Sequence, residues 1–498
     1  MAPSTPPPTL RAAAGDLRAQ EVDVLVAPAF KGEIEGPGAG AVLTALGLDG
    51  VPVSHGFRGD VGQTLRLAAP DLPARSVLLV GLGRMIDADA TALRDAAATA
   101  VRAVPDAGSL ATTLAQVHPT ATSAQAVGEG LLLGAHADQR WRRDPDPQAP
   151  ALAEATILVP SSRRAEADQA LERATLGARA TITARELVST PPADKAPAAL
   201  AEAIVAACPD LEATVWGPAE LAERGCHATL AVGGGSQHEP RMVRLRYAPR
   251  GSTGRVALVG KGVTFDSGGL SLKDRAGLQS MKCDMAGAAA VAGACTALAD
   301  LGVRVTVDAW LPLVENLPGA SAYRPGDVVS HPDGSTTEIV DTDAEGRLIL
   351  ADALALAAGT EPDAIVDLAT LTGSAARAVG AYAGALLGDD EGLLGAVRQA
   401  GRDSGERLWP LPLWPELDRF LRSEVADHRQ VGDGPDGDPG SDAILAALYL
   451  RRFVGEVPWV HADLPAAWLA PGMGWGHLPE GGTGFGVRTL LSWLGPDR

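Results

Sequence analysis

Four cysteines in 498 residues are few, and none forms a Cys-x-x-Cys pair, so no disulfide framework is expected. Cys208, Cys226, Cys283 and Cys295 instead suit a reducing compartment. Long apolar runs are also missing: no stretch approaches the ~18 residues of a membrane span, and no membrane partner is expected. Aromatic residues make up 4% of the chain, which leaves the packing of helices on sheets largely to small aliphatic side chains and glycine. Positive charge is outnumbered, 42 Lys and Arg against 61 Asp and Glu, for a formal charge of −19. A surface of that sign is not built to hold nucleic acid or anionic lipid, and most of its acidity serves solubility. The opening MAPSTPPPTLR has neither the basic nor the apolar region of a secretory signal. Residues 1–10 are expected to form a disordered Pro-rich tail, and the protein is expected in the cytoplasm.

What is present is an α/β pattern, in a chain long enough for two or three domains. VDVLVAPA near residue 22, AVLTALGL (41–48), SVLLVGLG (76–83), an Ala-rich helix near 91–103 and ATILVPSS (155–162) define an N-terminal α/β domain over 11–162. Its VGLGRM lacks the third glycine of a dinucleotide fingerprint, since Ile86 stands there, and is read as an ordinary strand end. Charged, Ala-rich residues 163–188 form a linking helix that the prolines of VSTPPAD stop. A second α/β domain occupies 189–498. Its buried strands are RVALVGKG (255–262), VRVTVDAWLPLV (303–314), AIVDLATLTG (364–373) and VPWVHADL (457–464), with helices at 280–301, 345–358 and 442–454. GDGPDGDPGSD (432–442) is a flexible loop.

In DTDAEGRL (341–348), Asp341, Asp343, Glu345 and Arg347 fall on alternate positions between a strand-like TTEIV and an apolar helix. Crowding carboxylates there costs repulsion and desolvation. Two more acids share this oddity: Asp266, in the turn after Lys261 and before Lys273, and Asp284, at the start of a small-sided helix. Singly, each has an ordinary explanation: a helix N-terminal charge, a turn, a solvated loop. Together, Asp266, Asp284, Asp343 and Glu345 lie near strand ends or helix starts of one domain, where open α/β sheets bind ligands. Two divalent cations would neutralise them; oxygen donors suit Mn²⁺ or Mg²⁺, and Zn²⁺ as well. Such a pair activates water and polarises a carbonyl, with lysines and an arginine at hand for an oxyanion or a bound anion.

GKGVTFDSGGLSLK, MKCDMAGAAAV, ENLPGASAYRPGDVV, DTDAEGRLILADAL, DLATLTGS, ERLWPLPLW and GGTGFGVRTL together resemble the leucyl aminopeptidases, the dinuclear M17 metallopeptidases. The resemblance is strong over about 185–498 and architectural before that. It implies two α/β domains, a smaller N-terminal macro-domain-like one and a larger C-terminal catalytic α/β/α domain with a mixed central sheet. It implies two divalent ions per chain, Zn²⁺ or Mn²⁺ with Mg²⁺ or Co²⁺ as alternatives. Lys261, Asp266, Asp284 and Glu345 would hold one, and Asp266, Asp343 and Glu345 the other, Asp343 also through its backbone carbonyl. Lys273 would stabilise the oxyanion formed when a metal-bridged water attacks, and Arg347 would hold a bicarbonate acting as general base. Thr370, Leu371 and Gly373 would contact the substrate backbone, and Met281 would line the pocket for its first side chain. Read on their own, Met281 and Thr370 are ordinary core residues and Lys273 a surface lysine. The implied substrate is a peptide or aminoacyl amide with a free α-amine, and the implied assembly a homohexamer.

Three places depart from the family pattern. Asp341 stands where Asn is usual, adding negative potential beside the metals. HADLPAAW (461–468) brings Pro465 and Trp468 toward the first-residue pocket, and STPPAD (189–194) alters a usual turn. These changes leave room for a pathway-specific amidase or dipeptidase on the same machinery. A non-catalytic hexameric DNA-binding scaffold is the remaining alternative, opposed by the complete ligand set and the −19 charge.

Overall fold

The computed structural model describes residues 6–144, 146–432, 440 and 442–495. The chain divides into two compact units, one formed by residues up to Arg179 with Gly472–Pro479, the other by Ala180–Pro471 with the residues from Glu480 on.

In the first unit a seven-stranded sheet runs in the order Thr9–Ala13, Glu154–Leu158, Ser109–Thr112, Val24–Phe30, Ser76–Gly81, Thr64–Ala68, with Ile34–Glu35 beside Val24–Phe30. The inner strands Val24–Phe30 and Ser76–Gly81 are parallel and wholly buried, which is why they read as continuous apolar runs and not as alternating ones. The first strand begins at Thr9, inside the segment assigned to the tail. AVLTALGL forms a helix, Ala39–Ala45. VGLGRM ends the Ser76–Gly81 strand and enters a 3-10 turn, Met85–Asp87.

The linking helix is Arg164–Ser189, and its residues are shared between the two units. Residues Gly472–Pro479, which the sequence boundaries put in the catalytic domain, belong to the first unit. There His477 pairs with Asp95, and Arg102 donates to the Gly476 carbonyl.

The second unit is built on a nine-stranded mixed sheet. Its path is Leu408–Pro410, Gly384–Gly388, Trp459–Asp463, Ala364–Ala369, Arg255–Gly260, Thr306–Asn316, Arg241–Tyr247, Glu212–Trp216, with Gly262–Asp266 also on Thr306–Asn316. The four central strands, from Trp459–Asp463 to Thr306–Asn316, are parallel. Their carboxyl ends therefore open on one edge of the sheet, carrying Asp463, Thr370, Lys261 and Asn316. Helices Ala286–Cys295 and Glu345–Ala358 pack on this sheet, the first within one apolar cluster and the second within another. Ala286–Cys295 is buried along its whole length, and its small side chains bring its backbone against the strands. A Cβ on Gly287 would lie 2.0 Å from the Leu368 carbonyl oxygen, so nothing larger than glycine fits.

The helix expected over 280–301 is shorter: a 3-10 turn, Met281–Cys283, precedes Ala286–Cys295. Its start is displaced because the Asp284 carbonyl accepts from the Val263 N–H and the Ala288 N–H donates to the Lys261 carbonyl at 2.8 Å, in place of the helical bond between them. The helix expected at 345–358 is Glu345–Ala358, and that at 442–454 is Asp442–Arg451. Of the loop expected at 432–442, residues 433–439 and 441 lie outside the described residues. Among the described residues no helix is long and apolar enough to cross a membrane, and all four cysteines are buried and free.

Candidate metal centre

Four of the five expected metal ligands are almost completely buried: Lys261, Asp266, Asp284 and Glu345. Lys261 follows the Arg255–Gly260 strand and reaches across to the first turn of the Glu345–Ala358 helix. Its Nζ lies 2.8 Å from Glu345 Oε1 and 2.9 Å from Asp284 Oδ2, and donates to the Thr370 carbonyl at 3.1 Å. Gly346 makes room for it, since a Cβ there would come within 2.5 Å of Lys261 Cε. Asp266, ending the Gly262–Asp266 strand, accepts from the Gly268 N–H and the Asn316 side-chain amide, each at 2.8 Å. Lys273 Nζ is 2.5 Å from Asp266 Oδ2 and also ion-pairs with Asp343.

The electrostatics are those of crowded acids. Burial and Glu345 push Asp266 up to about 7, with Lys273 and Lys261 pulling the other way. Burial raises Asp284 well above the carboxylate range, aided by Glu345 and Asp266 against Lys261. Asp343 is also raised, by burial first. Burial would raise Glu345 too, but Lys261 and Lys273 outweigh it and hold it low. Burial disfavours the Lys261 ammonium, yet Asp284, Glu345 and Asp266 prevail and raise its pKa.

Four carboxylates thus face two ammoniums, leaving a surplus of negative charge. Among the described residues, Asp284 Oδ2 and Glu345 Oε1 are buried and face the single Lys261 ammonium, at 2.9 and 2.8 Å. Oxygens of Asp266, Asp343 and Glu345 also lie within 4.8 Å of one another. Buried acids that outnumber their ammonium partners, with converging carboxylate oxygens, fit hard divalent cations.

The remaining expected residues divide. Thr370 donates its hydroxyl to Asp284 Oδ1 at 2.8 Å, which places it on the acid cluster. The Leu371 N–H is taken by Asp463 Oδ1 at 2.9 Å, and Gly373 opens the helix Gly373–Val379. Met281 begins the 3-10 turn before Asp284 and is half-buried. Arg347, though in the same helical turn as Glu345, makes no hydrogen bond to the four acids. It donates to the Gln430 carbonyl at 2.7 Å and Asp442 Oδ1 at 2.8 Å, leaving a buried Nε unpaired among the described residues.

Asp341 acts locally. Its Oδ1 accepts from the Asp343 N–H at 2.9 Å, and its carbonyl accepts from Gln430 Nε2. Trp468 pairs as strand Trp468–Leu469 with Gly481–Gly482, and the Lys282 ammonium sits 5.5 Å from its ring centre.

Several residues at the site were not singled out from the sequence. Asp463 holds the Leu371 N–H, the Thr372 N–H and the Thr372 hydroxyl, fixing the turn after Ala364–Ala369. Asn316 bridges Asp266 and the Thr342 carbonyl, and Tyr323 donates to that same carbonyl at 2.7 Å. Lys195 Nζ gathers the Val188 and Lys282 carbonyls, tying the end of the long helix to the segment that carries Asp284. The one sequence signal was a polar residue at the end of an apolar strand, which Asp463 and Asn316 share with the acids that were found.

The catalytic-domain model of the cytosol aminopeptidase family matches residues 182–491, and that family's N-terminal-domain model matches 27–145. A probable cytosol aminopeptidase of Streptomyces coelicolor is 41% identical over 96% of both chains. One from Geobacter sp. is 41% identical over 88% of this chain and 89% of its own. Among solved structures, the bottromycin maturation enzyme BotP, also solved in complex with Mn, superposes with a TM-score of 0.83 at 40% identity over 95% of this chain and 99% of the Mn-bound one. A tomato leucine aminopeptidase mutant gives a TM-score of 0.86 at 29% identity over 99% and 97%. With a buried acid cluster suited to cations at the carboxyl edge of its sheet, this chain belongs to the cytosol aminopeptidase family and is a metalloaminopeptidase.

Proposed function

We propose that the chain releases the N-terminal residue of peptides at a centre of two divalent ions. One would be held by Lys261, Asp266, Asp284 and Glu345, and the other by Asp266, Asp343 and Glu345, with the Asp343 carbonyl as a further donor. The observation that carries this reading is the convergence of Asp266, Asp343 and Glu345 oxygens within 4.8 Å of one another, beside the buried Asp284. When bound, the ions supply Lewis acidity toward the scissile carbonyl and make water a nucleophile at neutral pH. Mn²⁺ and Zn²⁺ suit the donor set best, with Mg²⁺ and Co²⁺ as alternatives.

Lys273, freed from part of its pairing with Asp266 and Asp343, stabilises the developing oxyanion. Arg347 orients a bicarbonate as general base; its unpaired Nε is the donor it has to offer. Leu371, whose N–H is occupied by Asp463, offers the substrate its carbonyl, and Thr370 and Gly373 line the same edge. Met281 lines the pocket for the first side chain. We place the enzyme in the cytoplasm as a homohexamer, a setting that its four free, buried cysteines support.

Metal analysis with a peptide-release assay tests the core of this reading. Wild type is expected to carry two ions per chain, and Glu345→Ala to lose at least one of them together with about 100-fold or more of kcat/KM. Full activity in Glu345→Ala would sink it.

A second reading, an amidase or dipeptidase dedicated to one biosynthetic pathway, draws on the 40% identity to a bottromycin maturation enzyme and on Trp468 beside the Met281–Cys283 turn. A panel of dipeptides, aminoacyl amides and longer peptides separates the two. Broad turnover supports the aminopeptidase, and turnover of one narrow class supports the dedicated enzyme.

A further inference from the structure

Between Glu338, which ends a strand, and Glu345, which opens a helix, the chain has no regular structure, yet this stretch carries Asp343 to the acid cluster. A backbone with no ladder of its own keeps its place through the bonds that other elements make to it. Ile339 is held by its N–H on the Asp327 carbonyl and its carbonyl on the Gly326 N–H, each at 2.8 Å. Further on, the Thr342 carbonyl accepts from Asn316 Nδ2 at 3.0 Å and from the Tyr323 hydroxyl at 2.7 Å. Between these two anchors a single side chain holds Val340 and Asp341.

That side chain is Gln430, a fully buried residue. It follows the short strand His428–Arg429, which runs parallel to Thr336–Glu338. Its Oε1 accepts from the Val340 N–H, and its Nε2 donates to the Asp341 carbonyl at 2.7 Å. Donor and acceptor of the one amide thus both serve this stretch. The Gln430 backbone carbonyl accepts from Arg347 Nη1 at 2.7 Å. One buried residue therefore touches the segment that carries Asp343 and also the arginine that follows Glu345 in the helix. Among the described residues, Gln430 makes no hydrogen bond to Met281, Thr370, Leu371 or Gly373, nor to any carboxylate of the cluster.

We propose that Gln430 is a positioning residue of the centre, holding Asp343 and Arg347 in one frame without touching metal or substrate itself. This rests on the two-ion reading above and deepens it. The ion assigned to Asp266, Asp343 and Glu345 depends on where the Asp343 segment stands. The Lys261 and Asp284 side is held by other bonds, from the Thr370 hydroxyl to Asp284 and from Lys261 to the Thr370 carbonyl. Removing the amide leaves the Val340 N–H and the Asp341 carbonyl without their partner, at a cost in buried backbone bonding. The segment then relaxes, and the Asp343 carboxylate and the Arg347 guanidinium lose their common placement, as ligands do when their outer supports go. The substrate edge at Thr370, Leu371 and Gly373 keeps its own bonds to Asp463 and Asp284.

The test is calorimetric titration of the metal-stripped full-length chain with Mn²⁺, together with peptide-release kinetics at saturating Mn²⁺. Wild type is expected to bind two ions. Gln430→Met keeps the length of the side chain but lacks the amide. It should bind one ion as wild type does and the other at least about tenfold more weakly. At saturating Mn²⁺ its kcat should fall about tenfold while KM stays within about twofold. Gln430→Asn, an amide one methylene too short to reach both groups, should lie between the two, and it carries the test if Gln430→Met does not fold. Thr337→Val is the control. It removes a buried hydroxyl from the same small sheet, one bonded to His331 and Tyr449, and should lower the urea midpoint without moving either ion affinity. The proposal is overturned if both ions bind Gln430→Met as they bind wild type, or if both weaken equally. A rise in KM at unchanged kcat, or matching losses in Thr337→Val, would overturn it as well. Fewer than two ions in wild type would instead overturn the two-ion reading on which it stands.

Discussion

Asp341 is the residue whose charge the metals do not explain, and its geometry gives it a backbone role. Its Oδ1 receives the Asp343 N–H, a bond that an asparagine oxygen makes equally well. Asp341→Asn should therefore leave stability within about 0.5 kcal/mol. Loss of its field at the neighbouring carboxylates should weaken metal affinity about threefold. Metal-titrated activity reads that difference, and identical titrations would show that only the turn matters. Asp463 is different, for it accepts from two backbone N–H groups and a hydroxyl at once. Asp463→Asn should lose one of these bonds and lower kcat/KM about tenfold, with little change in metal content by direct analysis. The four clustered acids were legible because each is a charge beside glycine or small residues at the edge of an apolar segment. Asp463 and Lys195 were not, because their meaning depends on partners 92 and 87 residues away in sequence. A lone polar residue in an apolar run does not announce such a partner.

At the scale of elements, periodicity located the parallel strands and the Glu345–Ala358 helix, but not where the helix before Asp284 begins. That start is set by tertiary bonding: the Asp284 carbonyl and the Ala288 N–H bond to the segment around Lys261 and not to each other, while Lys195 takes the Lys282 carbonyl. Lys195→Met should strand the Val188 and Lys282 carbonyls and cost about 2–4 kcal/mol in urea unfolding. An unchanged midpoint would mean that water replaces the ammonium there. The Ala286–Cys295 helix depends on close approach. Gly287→Ala forces a Cβ against the Leu368 carbonyl and should cost about 1–3 kcal/mol by the same measurement.

For the whole molecule, the surplus negative charge of the centre makes folding of the second unit sensitive to ions. Chelation should lower its melting temperature by several degrees while the first unit's transition stays put, as calorimetry can show. Stability should also vary with pH through His461, buried against Asp367 at 2.6 Å. Burial opposes its charged form, but Asp367 prevails and raises its pKa above the ordinary value. That contribution is complete below about pH 6.5 and fades as pH rises through the raised value. The melting-temperature gap between wild type and His461→Gln should therefore narrow from neutral to alkaline pH, and a constant gap would refute the charge argument. The assignment of Gly472–Pro479 to the first unit has a consequence during synthesis. Asp95 and Arg102 meet their protein partners, His477 and Gly476, across 382 and 374 residues of sequence. The first unit is therefore completed only after the whole of Ala180–Pro471 has been translated, and a fragment ending at Arg179 lacks part of it.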